Sequence, residues 1–199
     1  MNRMTGATLA RTQPMMPGLV PRYVPDGCAR DARRHVWTGQ IEVGRGGDVL
    51  TALLGSCVGI GMIWRARGVC ALAHCLLPEG VLDNGMHSAR YVSTAVPALL
   101  AALGVRREQY DEVEIVIAGG ARMLRLPGGD AAVGCRNILA AHAQLGSRGL
   151  QVAFEDVGGH QGRRLSIDCA AMSYKIERVA QTDPAPARRA VGLGAGAAV

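Results

Sequence analysis

Cys57 has the sequence context of a nucleophile. It follows Gly55 and Ser56 at the break in a long apolar run, and Gly59 and Gly61 come soon after. Glycines let the backbone turn tightly and expose amide groups, which stabilise the oxyanion that forms when a thiolate attacks an acyl carbon. The same pattern also suits a buried, unreactive cysteine in a strand. The nucleophile interpretation therefore needs a basic side chain that can take the proton of the thiol.

His74 is the candidate base. A free thiol has a pKa of about 8.5, so a nearby group must take its proton at neutral pH. Cys70 and Cys75 are close to His74 in the sequence, but both are poor partners if this segment is a strand. Cys75 then points to the opposite face, and Cys70 lies about 13 Å away at roughly 3.3 Å per residue. The thiol partner must come from elsewhere in the fold.

The remaining cysteines have less specific surroundings. Cys70, His74 and Cys75 match no usual zinc-ligand spacing and no fourth ligand is evident, so neither a metal nor a cofactor is expected. Cys135 is the rival reactive thiol, because a helix N-terminus near it would lower its pKa. The simpler interpretation of Cys135 is a small residue that packs beside Gly134.

The other histidines are assigned to packing or to loops. His142 shares a predicted helix face with apolar residues, which predicts a half-buried packing residue. His87 and His160 fall in glycine-bearing loops, where they are either solvated or at the border of a substrate site. His35 falls in the N-terminal arm.

Apolar patterns predict the elements that must position these residues. Continuous β-compatible runs cover 48–64, 69–77 and 112–118, and the first is interrupted by a bend at Gly-Ser-Cys. Three later segments alternate with a period of two, which predicts antiparallel strands with one buried face. These segments are 150–157, 164–169 and 173–179.

Two helices are predicted. The segment 91–103 has helical apolar spacing, although Pro97 should kink it or start a new first turn. A second helix is predicted over 136–145. The apolar positions of the first helix are Val92, Ala95, Val96, Leu99, Leu100 and Leu103. Together the elements predict an α/β fold: a single domain with a mixed, largely antiparallel sheet and packed helices in a layered sandwich.

Composition divides the 199 residues into one domain and two tails. Residues 1–35 are rich in Pro, Arg, Met and Gly without periodicity, and 181–199 are Ala, Pro and Gly, so both are predicted to be disordered. The domain is predicted over 36–180. It carries fourteen basic and thirteen acidic side chains, so the net charge of +6 resides mainly in the ends.

The composition also argues against several classes of protein. A nearly neutral domain with 4% aromatic residues is not typical of a nucleic-acid-binding protein. The N-terminus lacks the apolar segment of a secretory signal, and no charge-free run reaches the roughly 18 residues of a membrane span. The six cysteines are therefore expected as free thiols in a cytoplasmic protein without membrane insertion.

The order of these motifs resembles one family. Residues 51–58 read Thr-Ala-Leu-Leu-Gly-Ser-Cys-Val and residues 73–78 read Ala-His-Cys-Leu-Leu-Pro, as in the chemoreceptor glutamine deamidases (CheD). The resemblance extends over about residues 40–178, and the departures are Cys75, Pro97 and the long N-terminal arm. The further matching segments are Arg90-Tyr91, 118–121 with Met123, 134–137, and Asp156 to Gly159 with Arg163.

The resemblance implies a specific chemistry. Cys57 would be the nucleophile, His74 the base, and Thr51 the residue that hydrogen-bonds the imidazole and fixes its tautomer. Backbone amides at Ser56 and Val58 would hold the oxyanion. The implied substrate is a glutamine on the cytoplasmic helical bundle of a methyl-accepting chemoreceptor. A methylesterase-like activity on the receptor belongs to the same hypothesis.

Two alternatives to the deamidase remain open. Members of this family also bind a chemotaxis response-regulator phosphatase, so a regulatory binding role is one alternative. Another Cys-His acyl-transfer hydrolase, such as a thioesterase or a peptidase, is the second. Docking alone needs none of Thr51, Cys57 and His74, so the presence of all three favours an enzyme. The released product separates the enzymes, because ammonia supports deamidation and a new amino terminus supports proteolysis.

Overall fold

The strands of the protein divide between two sheets. The computed structural model describes residues 33–80, 89–122 and 133–179. A four-stranded sheet has the order β1-β3-β8-β9, and a five-stranded sheet has the order β2-β5-β4-β6-β7. The strands are β1 Arg33–His35, β2 Ile41–Arg45, β3 Val49–Leu54, β4 Val58–Trp64, β5 Val69–Cys75, β6 Val113–Gly119, β7 Val152–Val157, β8 Gly162–Asp168 and β9 Ser173–Val179. The α-helices are α1 Val92–Leu103 and α2 Val133–Gly146, and short 3₁₀ helices span Arg65–Arg67 and Arg107–Glu112.

The predicted α/β sandwich is confirmed, with three layers. One apolar cluster joins the four-stranded sheet to one face of the five-stranded sheet. A second cluster joins the other face of the five-stranded sheet to α1 and α2. Every residue of β4 and β5 is buried because both strands are covered on both faces. Burial on two faces explains why these two segments are continuous apolar runs rather than alternating ones.

The bend predicted in the first apolar run is confirmed. β3 ends at Leu54 and β4 begins at Val58, and the two strands belong to different sheets. Gly59 and Gly61 do not form this bend, contrary to expectation. They lie inside β4, where a Cβ on either would stand 2.7 Å from a side chain, that of Leu54 at Gly59 and that of Ile167 at Gly61. Their missing side chains therefore let the two sheets pack closely.

The last three strands were predicted as antiparallel, and for β7 that prediction is wrong. β8 pairs antiparallel with β3 and β9, but β7 pairs parallel with β6. Phe154 was expected on a buried face, yet it is 48% exposed at the sheet edge. A register shift between Ile115 and Val116 interrupts the regular pairing of β6 with β7. Such a bulge disrupts the two-residue period on which the prediction relied.

Both helices are confirmed. The six predicted apolar positions of α1 are all buried, and the helix runs through Pro97, which lies exposed on its outer side. α2 begins at Val133, three residues before the predicted start. His142 was expected to be half-buried, but it is exposed and lies 2.9 Å from the Glu155 carboxylate. The buried residues of α2 are Gly134, Asn137, Ala140, Ala141 and Leu145.

The folded region begins slightly before the predicted boundary. Arg33–His35 had been placed in the arm, but they form β1 and pair with β3. The rest of the predicted arm, the predicted tail, His87 and Met123 lie outside the described residues. Within the described residues, none of the helices has both the length and the apolar character to cross a membrane.

Candidate functional site

The bend that carries Cys57 is held by its carbonyl groups. The carbonyl of Gly55 accepts a hydrogen bond from the amide of Ala121 at 2.8 Å. The carbonyl of Cys57 accepts one from the amide of Gly120 at 2.7 Å. The carbonyl of Ser56, between them, accepts one from the side chain of Asn137 at 3.0 Å. Three consecutive carbonyls are thus fixed by the two residues that follow β6 and by α2.

The fixed carbonyls determine where the amides of the bend point. In a trans peptide the N–H points away from the C=O, and the described chain has no cis peptide bond. The N–H of Ser56 therefore points away from Ala121, which binds the preceding carbonyl, and the N–H of Cys57 points away from Asn137 for the same reason. Within the described part of the chain, neither amide has an acceptor except the sulfur of Cys57 itself. Two adjacent amides that have no oxygen acceptor among the described residues, next to a thiol, have the arrangement of an oxyanion-binding site.

Gly119 makes the close approach of β6 to this bend possible. Its φ is +100°, a conformation that side chains disfavour, and a Cβ at this position would stand 2.3 Å from the Cys57 carbonyl oxygen. Only glycine fits here without moving the bend. The Gly-Gly pair at the end of β6 therefore supports the bend that carries Cys57.

Asn137 links the bend to the strand that carries the histidine. Its side chain is completely buried in α2, and its Nδ2 donates to the carbonyls of Ser56 and Leu76, both at 3.0 Å. Leu76 comes two residues after His74. The Oδ1 atom of Asn137 is buried and has no hydrogen-bond partner in the described region. Both donors of one amide are thus used to fix the relative positions of Cys57 and His74.

The imidazole of His74 is held in one tautomer. His74 is 4% exposed, and its side chain lies on the face of β5 that points to the four-stranded sheet, as those of Cys70 and Leu72 do. Its Nδ1 lies 3.0 Å from the carbonyl oxygen of Val36. Because a carbonyl only accepts, Nδ1 carries the proton, and Nε2 of the neutral ring has a free lone pair. Nε2 lies 3.4 Å from Oγ1 of Thr38.

Thr38 lies beside both candidate groups. Its hydroxyl is near enough to the half-buried Cys57 to lower the pKa of the thiol. Burial raises the pKa of the Cys57 thiol, and the Thr38 hydroxyl and its own amide lower it in part. Burial also lowers the pKa of His74, against the hydrogen bond with Val36. Both shifts favour a neutral thiol and a neutral imidazole over a preformed ion pair.

The family resemblance implied that Thr51 hydrogen-bonds the imidazole, but its side chain lies elsewhere. Its Oγ1 lies 3.2 Å from Oγ of Ser166 in β8, and within the described ranges it forms no hydrogen bond with His74. Strand geometry explains the difference: Leu50 and Ala52 point into the layer between the sheets, so Thr51 points to the other face. Its backbone reaches the imidazole through Val36. The amide of Val36 donates to the Thr51 carbonyl at 2.8 Å, and the carbonyl of Val36 lies 3.0 Å from Nδ1 of His74.

The other candidate thiols lie in different environments. Cys75 is buried on the helix side of β5, opposite His74, and burial raises its pKa. Cys135 is exposed in the first turn of α2, at a cavity of about 300 Å³ that His160 and Gly120 also line. All five cysteines in the described ranges are free thiols, and Cys28 lies outside them. In the same ranges, no three His, Cys, Asp or Glu residues are grouped to hold a metal ion.

Sequence reasoning missed three contributors to this site. Val36 and Thr38 act through contacts with His74 across more than 35 positions of sequence, and no local pattern indicates them. Asn137 belonged to a recognised motif but received no role. A signal for it did exist, because Asn137 stands on the same helix face as Gly134, Ala141 and Leu145. A polar residue on an apolar face needs buried hydrogen-bond partners.

The lowered pKa of His74 predicts a pH-dependent stability. The unfolded value is near 6.5 and the folded value lies below it, so the unfolded chain takes up this proton first as the pH falls. The free energy of unfolding therefore declines as the pH drops below 6.5 toward the folded pKa. Glutamine does not titrate, so we expect His74→Gln to reduce this dependence of the free energy of unfolding on pH. Urea denaturation at pH values above and below 6.5 measures the change. An unchanged slope in the variant would show that His74 titrates normally in the folded protein.

Comparison with known proteins identifies close relatives. Residues 76–178 match the family model described as CheD chemotactic sensory transduction, a range that starts just after His74. The chain is 38% identical over 153 residues to the probable chemoreceptor glutamine deamidase CheD of Bdellovibrio bacteriovorus, covering 74% of this chain and 96% of that protein. It is 35% identical over 164 residues to the probable chemoreceptor glutamine deamidase CheD 2 of Ruegeria sp., covering 73% and 91%.

A further relative is similar over most of its own length. The chain is 33% identical over 140 residues to the probable chemoreceptor glutamine deamidase CheD of Methanococcus maripaludis, covering 70% of this chain and 91% of that protein. The solved structure of the hypothetical protein YfiH of Bacillus licheniformis is similar at a TM-score of 0.37, with 13% identity over 65% of this chain and 60% of that one. The sequence relatives, rather than this weak structural likeness, establish the family.

Proposed function

The chain belongs to the CheD family, and from this premise we propose that it is a protein-glutamine deamidase that converts specific chemoreceptor glutamines to glutamate. The observation that carries the proposal is the arrangement around Cys57. A half-buried thiol, two amides without an oxygen acceptor in the described residues, and a histidine whose Nε2 can take up a proton lie at or beside one bend. These are the three components of cysteine-dependent acyl transfer.

The first half of the proposed reaction breaks the amide. His74 Nε2 takes the proton of Cys57, and the thiolate attacks the side-chain carbonyl carbon of glutamine. The amides of Ser56 and Cys57 stabilise the resulting oxyanion, and losing one such donor typically costs about 3 kcal/mol of barrier. Val58, the other predicted donor, lies in β4 and pairs with Cys75 and Gly119 on its two sides. The imidazolium then gives its proton to the departing nitrogen. Ammonia leaves and a thioester remains on Cys57.

The second half hydrolyses the thioester. His74, again neutral, takes a proton from water, and the hydroxide attacks the acyl carbon. The carbon–sulfur bond breaks, glutamate is released, and the thiol recovers its proton. The hydrogen bond from Nδ1 to the Val36 carbonyl keeps the ring in the same tautomer through both halves.

Thr51 has an indirect role in this proposal. Its carbonyl accepts from the amide of Val36, and the carbonyl of Val36 accepts from the imidazole. The strand segment at Thr51 therefore supports the histidine through one peptide group. The Thr51 side chain contributes by its contact with Ser166, which fixes β3 against β8 beside the nucleophile bend.

The names of the relatives, probable chemoreceptor glutamine deamidases, support a chemoreceptor as the substrate. Within it, the proposed target is a glutamine on the cytoplasmic helical bundle of a methyl-accepting chemoreceptor, and the proposed location of the protein is therefore the cytoplasm. Incubation of the protein with purified receptor cytoplasmic domain should release ammonia and add about 1 Da at particular glutamines, as replacement of an amide by a carboxylate requires. Mass spectrometry of receptor peptides measures this directly.

Other outcomes of that experiment would contradict the proposal. A new amino terminus in the receptor would indicate a peptidase. Loss of a methyl ester without ammonia release would indicate an esterase. Tight binding to a response-regulator phosphatase, with no modified residue in any receptor of the same cell, would support the regulatory role instead.

A further inference from the structure

Arg163 is a buried cation that joins the two sheets. It lies in β8 of the four-stranded sheet and is 4% exposed. Its Nη2 and Nε atoms donate to Oδ1 of Asp156 at 2.8 and 3.2 Å, and Asp156 lies in β7 of the five-stranded sheet. Burial of a charge is costly unless the charge is paired and hydrogen-bonded. The buried position of Arg163 therefore depends on the partners that surround it.

The third nitrogen of Arg163 holds a loop. Residues 158–161 connect β7 to β8, and we call them the 158–161 loop. The Nη1 atom of Arg163 donates to the carbonyls of Gly158 and Gln161, to the latter at 2.5 Å. These two carbonyls are at the beginning and the end of the loop. One guanidinium group thus fixes the loop at both ends.

The 158–161 loop is bonded in turn to the segment at the end of β6. The amide of Gly158 donates to the carbonyl of Gly119 at 2.9 Å. The amide of Arg122 donates to the carbonyl of Gly159 at 2.8 Å. The loop therefore holds the first and the last residue of the segment 119–122.

The same segment holds the nucleophile bend through its two inner residues. The amides of Gly120 and Ala121 donate to the carbonyls of Cys57 and Gly55. Residues 119–122 thus lie between the bend on one side and the 158–161 loop on the other. A displacement of the loop would therefore move the support of the bend.

We propose that Arg163 is a positioning residue that keeps the bend of Cys57 in its reactive shape, by holding the 158–161 loop against residues 119–122. The backbone of Arg163 also pairs with Leu54, the last residue of β3 before the bend. A guanidinium suits this role because it offers five donors in one plane, enough for a carboxylate and two carbonyls. The effect on turnover rests on the proposed function, but the support of the bend is measurable without a receptor.

Arg163→Lys and Arg178→Gln form a matched pair of variants. Arg178 is 63% exposed and donates to the carboxylate of Asp156 at 3.3 Å, but among the described residues it donates to no carbonyl of the loop. Lysine at position 163 keeps the charge but has one nitrogen in place of three, so it cannot hold the carboxylate and both carbonyls. An effect of the ion pairs alone would appear in both variants, whereas an effect of the loop should appear only in Arg163→Lys.

Amide hydrogen exchange measures the support directly. We expect Arg163→Lys to speed the exchange of the amides of Gly120, Ala121, Arg122 and Gly158 by at least about 10-fold, while the amides in the middle of α1 keep the parent rate. Arg178→Gln should leave all these rates unchanged. Parent exchange rates in Arg163→Lys, an equal increase in α1, or the same increase in Arg178→Gln would each overturn the proposal.

Gly159→Ala tests the same connection if Arg163→Lys does not fold. Gly159 has a φ of +66°, and a Cβ at this position would meet only Nη2 of Arg163, at 3.8 Å. Alanine therefore fits in the available space but strains the path of the loop. The amides of Gly120, Ala121 and Arg122 should exchange faster in this variant. Parent exchange rates would show that the bend does not depend on the loop.

Receptor assays distinguish this inference from the proposed function. Arg163→Lys should lower kcat about 10-fold with little change in KM, because a displaced bend misplaces the thiol and the oxyanion donors. If no receptor is deamidated but the exchange results hold, the support of the bend stands and the substrate assignment fails. If deamidation occurs and Arg163→Lys keeps the parent kcat, the deamidase stands and the positioning role of Arg163 fails.

Discussion

Cys57→Ala is expected to abolish ammonia release from receptor domains, with a loss of at least about 1,000-fold. Among the described residues, the other thiols that could compete lie elsewhere, since Cys75 faces the helices and Cys135 lies on α2. The fold should survive, because Cys57 is only partly packed against the layer between the sheets. The measurement is receptor mass spectrometry together with a urea denaturation curve, whose midpoint should move little.

Cys135→Ala is the matched control for the nucleophile assignment. Cys135 is an exposed thiol in the same protein, and it lies at a cavity that also contains His160. We expect this variant to keep the full rate of deamidation. If Cys135→Ala is inactive while Cys57→Ala retains activity, the nucleophile lies in that cavity and the assignment of Cys57 is wrong.

Asn137→Ala is expected to lower both stability and activity. The substitution leaves the carbonyls of Ser56 and Leu76 without their shared donor, and each unsatisfied buried group costs about 1–3 kcal/mol. The unpaired Oδ1 of Asn137 is removed at the same time, which offsets part of the loss. We therefore expect the free energy of unfolding to fall by about 2–4 kcal/mol. Urea denaturation measures this change.

The activity of Asn137→Ala should fall beyond what unfolding explains. The bend and the end of β5 lose their common tether, so the folded fraction should show a reduced kcat with a similar KM. Leu139→Ala on the same helix is the control, because Leu139 is 63% exposed and its loss should change stability by less than about 0.5 kcal/mol. Equal stability of both variants would refute the role of Asn137 as a tether.

The sequence predicted the elements well where one face or both faces are uniformly buried. The apolar positions of α1 and the bend between β3 and β4 match the structure because local spacing decides them. The prediction from the sequence failed at β7, where a bulge and a parallel partner strand replaced the expected alternation of buried and exposed residues. It also failed at His142, whose helix face is set by what α2 packs against. Both errors come from tertiary partners that a local pattern does not contain.

For the site, the sequence by itself determined the residue types and their places: a cysteine at a glycine-rich bend, a histidine on a buried strand, and glycines at the end of β6. Only the tertiary structure decided how these groups connect. It turned Thr51 to the outer face, brought Val36 and Thr38 onto the imidazole, and fixed the bend with Asn137. The physical reason is that hydrogen-bond partners are chosen by distance in space, and each of these contacts joins separate elements of the chain.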